Sequence, residues 1–229
     1  MPIDKKADLL KRAALAIDNT LADAKIQKLV AAYSYTPAAL AEARKLVDAA
    51  RAASSAQLVA AGEQQQATAA FVQANTAARA AYQALAKLAR ASCDKPSLTK
   101  LGLSGIEPQA AGAFMKAAFG LFDNAPQVPM LASRFGYNAE KLAAERAKIS
   151  ALQAADQAQD AAMGAAQQVT AQQQAAFKAL DAWLAEYLKI AKVALSADPQ
   201  QLEKIGVVAR TTKTAAQRAA AQKQTTTTS

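Results

Sequence analysis

The sequence predicts an all-α protein: a tandem duplicated helical unit with two long antiparallel helices packed against shorter ones. Three observations predict it. The first is composition. Of 229 residues, 65 are Ala and 22 are Gln, against 8 Gly and 7 Pro. Alanine is the best helix former, and the strand-favouring Val, Ile and Thr are sparse before the C-terminal tail. The second is self-similarity. Sliding the chain by 102 residues superposes 35–90 on 137–192 without a gap, giving 20 identities in 56 positions, 11 of them alanine. The third is that each long segment has no Pro and one Gly.

Alanine matches come cheaply in such a chain, so the other nine carry the duplication. Tyr35 falls on Tyr137, Leu40 on Leu142, Arg44 on Arg146, Gln57 on Gln159, Gly62 on Gly164, Gln65-Gln66 on Gln167-Gln168, Thr68 on Thr170 and Lys87 on Lys189. The flanks agree with small offsets. Leu98–Leu103 matches Leu202–Val207, and Ile17-Asp18-Asn19 resembles Phe122-Asp123-Asn124. The chain accordingly divides into repeat one at 1–103, repeat two at 104–207, both within one bundle, and a basic tail at 208–229.

Each repeat opens with a helix, near 5–20 and 108–122, followed by a short one near 24–33 and 126–134. A turn follows: Tyr33-Ser34-Tyr35-Thr36-Pro37 in one copy, Phe135-Gly136-Tyr137-Asn138 in the other. Thr36 and Asn138 read as N-caps, with Pro37 at the first helical position, where its missing N–H costs nothing. The long segment then runs to about Ser92 and Ser196. At 1.5 Å per residue, a continuous helix over its 56 matched positions is about 84 Å long and needs a partner along its length. Its own copy is the obvious partner. The alternative is a compact four-helix bundle, with each segment broken near Ser54-Ser55 or at Gly62 and Gly164. Those stretches lack turn chemistry, which favours continuity. A last short helix ends at Gly102 and Gly206, which read as C-terminal stops.

Alanine buries little apolar area, so large anchors matter: Phe71, Tyr82, Phe114, Phe119, Phe122, Phe177, Trp183 and Tyr187. Net charge is +9, of which the tail supplies four through Arg210, Lys213, Arg218 and Lys223, leaving +5 on the body. That is mild for a nucleic-acid binder, which concentrates basic charge on one face. The tail, rich in Thr, Gln and Ala, has too few apolar anchors to order itself and is expected to be disordered. A weak nucleic-acid contact through its four cations is the route by which such binding would occur.

Cys93 is the only cysteine and there is no histidine, so neither an intramolecular disulfide nor a Cys–His nucleophile pair is expected. Cys93 reads as a small residue at a helix end. No run approaches ~18 apolar residues, so no transmembrane helix is expected and a cytoplasmic location is the default.

One motif stands out, Gly-x-x-Gln-Gln-x-Thr, at the midpoint of each long segment: Gly62, Gln65, Gln66, Thr68 and Gly164, Gln167, Gln168, Thr170. In an antiparallel pair these midpoints meet. The glycines would then allow close backbone approach, and the glutamines would hydrogen-bond across a register-setting polar layer. A small polar ligand site is the functional alternative. Other groups read as structural. Glu42, Glu63, Glu145 and Glu186 lack the histidines of a di-iron bundle, and Asp156-x-x-x-Asp160 reads as a solvated face. Lys87, Arg90, Lys189 and Lys192 complement helix C-termini. No catalytic residue, cofactor site or metal site is assigned.

The Phe135-Gly136-Tyr137 turn, the Arg44/Arg146 helix starts, Gly62/Gly164 and the Leu-Glu-Lys-Ile-Gly end at 202–206 resemble a group of uncharacterised bacterial proteins built from tandem helical units. The resemblance covers most of 14–207 and implies a helical bundle with no known activity. The Ala/Gln-rich helices and basic tail also resemble phasin-like granule proteins, which are not known for such a duplication. The expected role is a non-enzymatic structural or protein-interaction bundle, a coiled-coil scaffold that docks a protein partner or another copy. The alternatives are a small-molecule or granule-surface binder and, third, a weak nucleic-acid binder.

Overall fold

A computed structural model describes residues 5–207. The tail expected to be disordered and basic, with Arg210, Lys213, Arg218 and Lys223, lies outside the described residues. Among the described residues, eight α-helices follow in order: α1 (Lys5–Ala22), α2 (Ala24–Ala31), α3 (Pro37–Ser92), α4 (Lys95–Lys100), α5 (Ala111–Asn124), α6 (Pro129–Phe135), α7 (Ala139–Ala194) and α8 (Pro199–Lys204). A 3₁₀ turn at Ala125–Gln127 separates α5 from α6. No strand occurs among the described residues.

Both long helices are 56 residues long and run unbroken through Gly62 and Gly164. The four-helix alternative, which needs a break in each, is therefore not adopted. Their ends form as the turn chemistry requires. Thr36 Oγ1 accepts from Ala39 N at 3.3 Å, and Asn138 Oδ1 accepts from Lys141 N at 2.9 Å. Gly102 and Gly206 stop α4 and α8 at φ 72° and 82°. Gly136 ends α6 at φ 68°, and its counterpart in repeat one, Ser34, takes φ 73° without being glycine.

The chain packs as two compact units that cut across the repeats. Among the described residues, one is contiguous, Ala56–Thr170; the other joins the residues up to Ser55 to those from Ala171. Each unit thus combines one half of a repeat with the complementary half of the other.

In the discontinuous unit, α1, α2 and α8 cover the first part of α3 and the last part of α7. Asp23 caps α2, accepting from Lys25 N at 3.0 Å and Ile26 N at 3.2 Å. The core contains Ile17, Ile26, Val30, Leu40 and Val47 with Leu180, Leu184, Tyr187 and Leu195. The two long helices run antiparallel here: just before α3, Tyr35 meets Tyr187 edge-on at 5.0 Å, and further along Gln173 Nε2 donates to Ser54 Oγ at 3.4 Å. Trp183 stacks on Tyr187 at 5.2 Å, and the Tyr187 hydroxyl is hydrogen-bonded to buried Thr20.

In the contiguous unit, α4, α5, the 3₁₀ turn and α6 cover the other parts of α3 and α7. Tyr82, Leu85, Phe114, Leu121, Phe122 and Leu131 join Leu142, Ile149 and Leu152, and Tyr82 meets Phe114 edge-on at 5.5 Å. The duplication shows in matched ion pairs. Arg146 Nε donates to Asp123 at 2.6 Å, and its counterpart Arg44 pairs with Asp18.

Candidate functional site

The central motif lies wholly in the contiguous unit. Gly62, Gln65, Gln66, Thr68, Gly164, Gln167 and Gln168 are exposed, and Thr170 is half-buried. A Cβ placed on Gly62 or Gly164 would meet nothing within 4 Å. The close backbone approach expected at these glycines therefore does not occur. The reason is geometric: at 100° per residue Gly62 falls outside the inner face that carries Ala60, Ala67, Phe71 and Ala74. One side-chain hydrogen bond does tie the midpoints together, from Gln159 Nε2 to Thr68 Oγ1 at 3.4 Å. Thr68 and Thr170 also bond back to their own helices, at Gln64 O and Ala166 O. A shallow open groove lined by Ala61, Gln64, Gln65 and Thr68 runs alongside.

The helix middles are thinly packed. Between 56 and 77, Ala60 is the only buried residue of α3, and none of 153–170 is buried on α7. Leu58 is 72% exposed, Val59 60%, Val72 55% and Met163 41%. Leu58, Ala61, Gln65, Thr68 and Val72 follow a 3,4,3,4 spacing, the seam of a coiled coil. No side chain on this seam is charged. Glu63, the one charged residue between 56 and 78, is turned 160° from Gln65 around the helix. The seam belongs to α3 alone, since the counterparts of Leu58 and Val72 are Asp160 and Gln174.

Comparison with protein-family models, with curated proteins and with solved structures finds no match. The functional reading therefore rests on the chain's own geometry.

Two further features lie in the contiguous unit. Arg79 holds the connection between the repeats. Its guanidinium pairs with Glu107 at 2.8 Å, donates to Gln109 O at 2.8 Å and lies 4.2 Å from the Phe114 ring centre. The second is an open, mainly apolar cavity of about 520 Å³ lined by residues including Pro126, Val128, Pro129, Tyr137 and Leu142. The Lys141 ammonium sits 4.0 Å from the centre of the Tyr137 ring.

The remaining charged candidates have local partners. Lys45 pairs with Glu42 at 2.8 Å, and Lys148 with Glu145 at 2.7 Å. In the discontinuous unit, Lys204 pairs with Asp23 at 2.7 Å and Lys25 with Asp198 at 2.6 Å, tying α2 to α8. The hydrogen bond from Lys204, with that from the Ile26 N–H, holds the Asp23 carboxyl below the usual range. Lys25 does the same for Asp198. Burial raises the hydroxyls of Tyr35, Tyr82, Tyr137 and Tyr187 above their ordinary value. Cys93 is half-buried just past the end of α3. Among the described residues, no three His, Cys, Asp or Glu side chains converge as a metal site, and no helix is long and apolar enough to cross a membrane.

Sequence reasoning missed the Leu58–Val72 seam and the Arg79 clamp. Both signals are present as departures from the repeat. Leu58 and Val72 are apolar where the other copy is polar, and Arg79 stands where it has Asp181.

Proposed function

We propose that this chain is a non-enzymatic scaffold that docks a protein on the exposed middle of α3. The observation that carries this reading is the uncharged middle of α3, where Leu58 and Val72 stand at 72% and 55% exposure. Depletion of charge around exposed large apolar residues marks interaction surfaces, whereas a merely solvated helix face is salted with charges. The ends of the long helices follow that second pattern, through pairs such as Lys45–Glu42 and Lys148–Glu145. A photocrosslinking amino acid at position 58, used in the chain's own cells, tests the proposal. Discrete protein adducts that disappear with Val72→Glu support it; labelling no stronger than at an exposed control such as Gln73 refutes it.

The cavity beside Tyr137 favours a second reading, binding of a small apolar molecule. Its apolar lining and a volume of about 520 Å³ suit a ligand-sized guest. A thermal shift with aliphatic and aromatic probes, abolished by Ala132→Trp, would support that reading.

A further inference from the structure

We infer that the discontinuous unit carries a binding site for an organic phosphate between α1 and α7. The inference is independent of both readings above.

Helical spacing builds the site. Lys5, Asp8, Leu9 and Arg12 fall on one side of α1, and Phe177, Lys178 and Asp181 on one side of α7. Together with Lys6 they line an open cavity of about 570 Å³, within the size range of small-molecule sites. Leu9 is half-buried and Phe177 buried, and the two form an apolar floor; the charged side chains around them are exposed. Four cations stand against two carboxylates, which leaves an excess of +2. A phosphate monoester carries a charge of about −2 at neutral pH and complements that excess.

Three observations set these cations apart from a solvated surface. The first is anchoring. Lys6 Nζ donates to Gln173 Oε1 at 2.5 Å, and the ammonium lies 5.5 Å from the centre of the Phe177 ring. Gln173 is 5% exposed and also donates to Ser54 Oγ. A buried amide thus holds the ammonium at the apolar floor, so a ligand that meets it there loses less to side-chain ordering. The second is availability. Arg12 lies 3.8 Å from Asp8, beyond hydrogen-bond length, and both side chains are about half-exposed. Its planar fork of donors suits a phosphate. Among the described residues, Lys5 and Lys178 pair with no carboxylate. The third is the other copy. Lys5, Lys6, Arg12 and Lys178 stand where the matching positions hold Ala110, Ala111, Ala117 and Thr76. The same kind of helix packing forms there with none of the four cations, so the fold does not require them.

Isothermal titration calorimetry of the full chain at low ionic strength tests the site, with naphthyl phosphate as the probe and inorganic phosphate and naphthol as comparisons. Naphthyl phosphate should bind saturably and at least tenfold tighter than either comparison, because it alone meets both the cations and the floor. Lys178→Gln and Arg12→Gln, both at exposed positions, should each weaken it about tenfold, the loss expected for one charge-assisted contact. Lys189→Gln, at an exposed lysine elsewhere on α7, should leave it unchanged. Far-UV circular dichroism checks that each variant keeps its helix content. Phosphatidylcholine vesicles carrying phosphatidic acid present the same monoester on a lipid. Binding of naphthyl phosphate without vesicle binding assigns a free ligand, whereas co-sedimentation that Lys178→Gln abolishes assigns a headgroup. No saturable binding of either probe, equal affinity for inorganic and naphthyl phosphate, or the same loss from Lys189→Gln as from Lys178→Gln overturns the inference.

Discussion

Arg79→Ala should be among the most damaging substitutions outside the two cores. The arginine touches the connection between repeats in three ways. It forms an ion pair with Glu107 at 2.8 Å, donates a hydrogen bond to Gln109 O at 2.8 Å and makes a cation–π contact with Phe114 at 4.2 Å. A second backbone contact, to Pro108 O at 3.5 Å, is too long to count for much. The paired side chains are 21% and 19% exposed, so the ion pair is partly screened and contributes about 1 kcal/mol. The charge-assisted hydrogen bond adds about 1.5 kcal/mol, and the cation–π contact about 0.5–1 kcal/mol. These values are not additive, and some of the loss returns as side-chain entropy, so a net cost of about 2–3 kcal/mol is expected. Arg79→Lys should recover less than half, because an ammonium cannot serve the carboxylate, the carbonyl and the ring together. Urea denaturation followed by circular dichroism measures the total. Hydrogen–deuterium exchange of the backbone amides between 102 and 109 measures the local effect and should accelerate in Arg79→Ala. A cost under ~0.5 kcal/mol with unchanged exchange would show that the arginine does not hold this segment.

The other predictions use the same denaturation assays. Ser34→Gly should stabilise by about 0.5–1 kcal/mol and Gly136→Ala should destabilise by about 1 kcal/mol, because both positions are left-handed and only glycine adopts that region freely; opposite signs would refute the shared turn geometry. Gly206→Ala should cost more than Gly102→Ala, since its Cβ would meet Leu15 Cδ2 at 2.8 Å whereas that of Gly102 meets nothing within 4 Å. Gly62→Ala and Gly164→Ala should each stabilise by up to about 1 kcal/mol as exposed mid-helix glycines, and a loss would restore the close-approach reading. Four tyrosines have hydroxyls raised by burial, so the folded chain binds more protons than the unfolded one above about pH 10. Stability should therefore hold below pH 10 and fall as pH rises through the folded values, less steeply in Tyr187→Phe; a flat profile to pH 11 would refute this.

Much of the architecture was legible because the duplication supplies two readings of each element. Thr36 and Asn138, Gly102 and Gly206, and the unbroken long helices could be placed from local backbone chemistry, and the structure puts them there. Gly62 and Gly164 misled because a glycine inside a helix has two meanings, close contact or simple exposure, and only the neighbours decide between them. Ser34 was hidden because its left-handed conformation is imposed by the chain path rather than by residue type. The Leu58–Val72 seam is silent in the matched positions; its signal lies in the mismatches with Asp160 and Gln174. The exchange of halves between repeats follows from the antiparallel pairing expected of the long helices. Which alanine faces meet could not be read, because those faces are nearly interchangeable in sequence.

That exchange has a consequence for birth on the ribosome. The contiguous unit, Ala56–Thr170, holds all its own segments and can close once its last helical turns emerge. The discontinuous unit cannot. Its α1 and α2 are made first but must wait for the stretch that begins at Ala171, more than a hundred residues later. Meanwhile Ile17, Ile26 and Val30, all fully buried in the finished protein, have no covering layer from α7 or α8. Within the discontinuous unit, the segments made first are therefore the last to be sheltered.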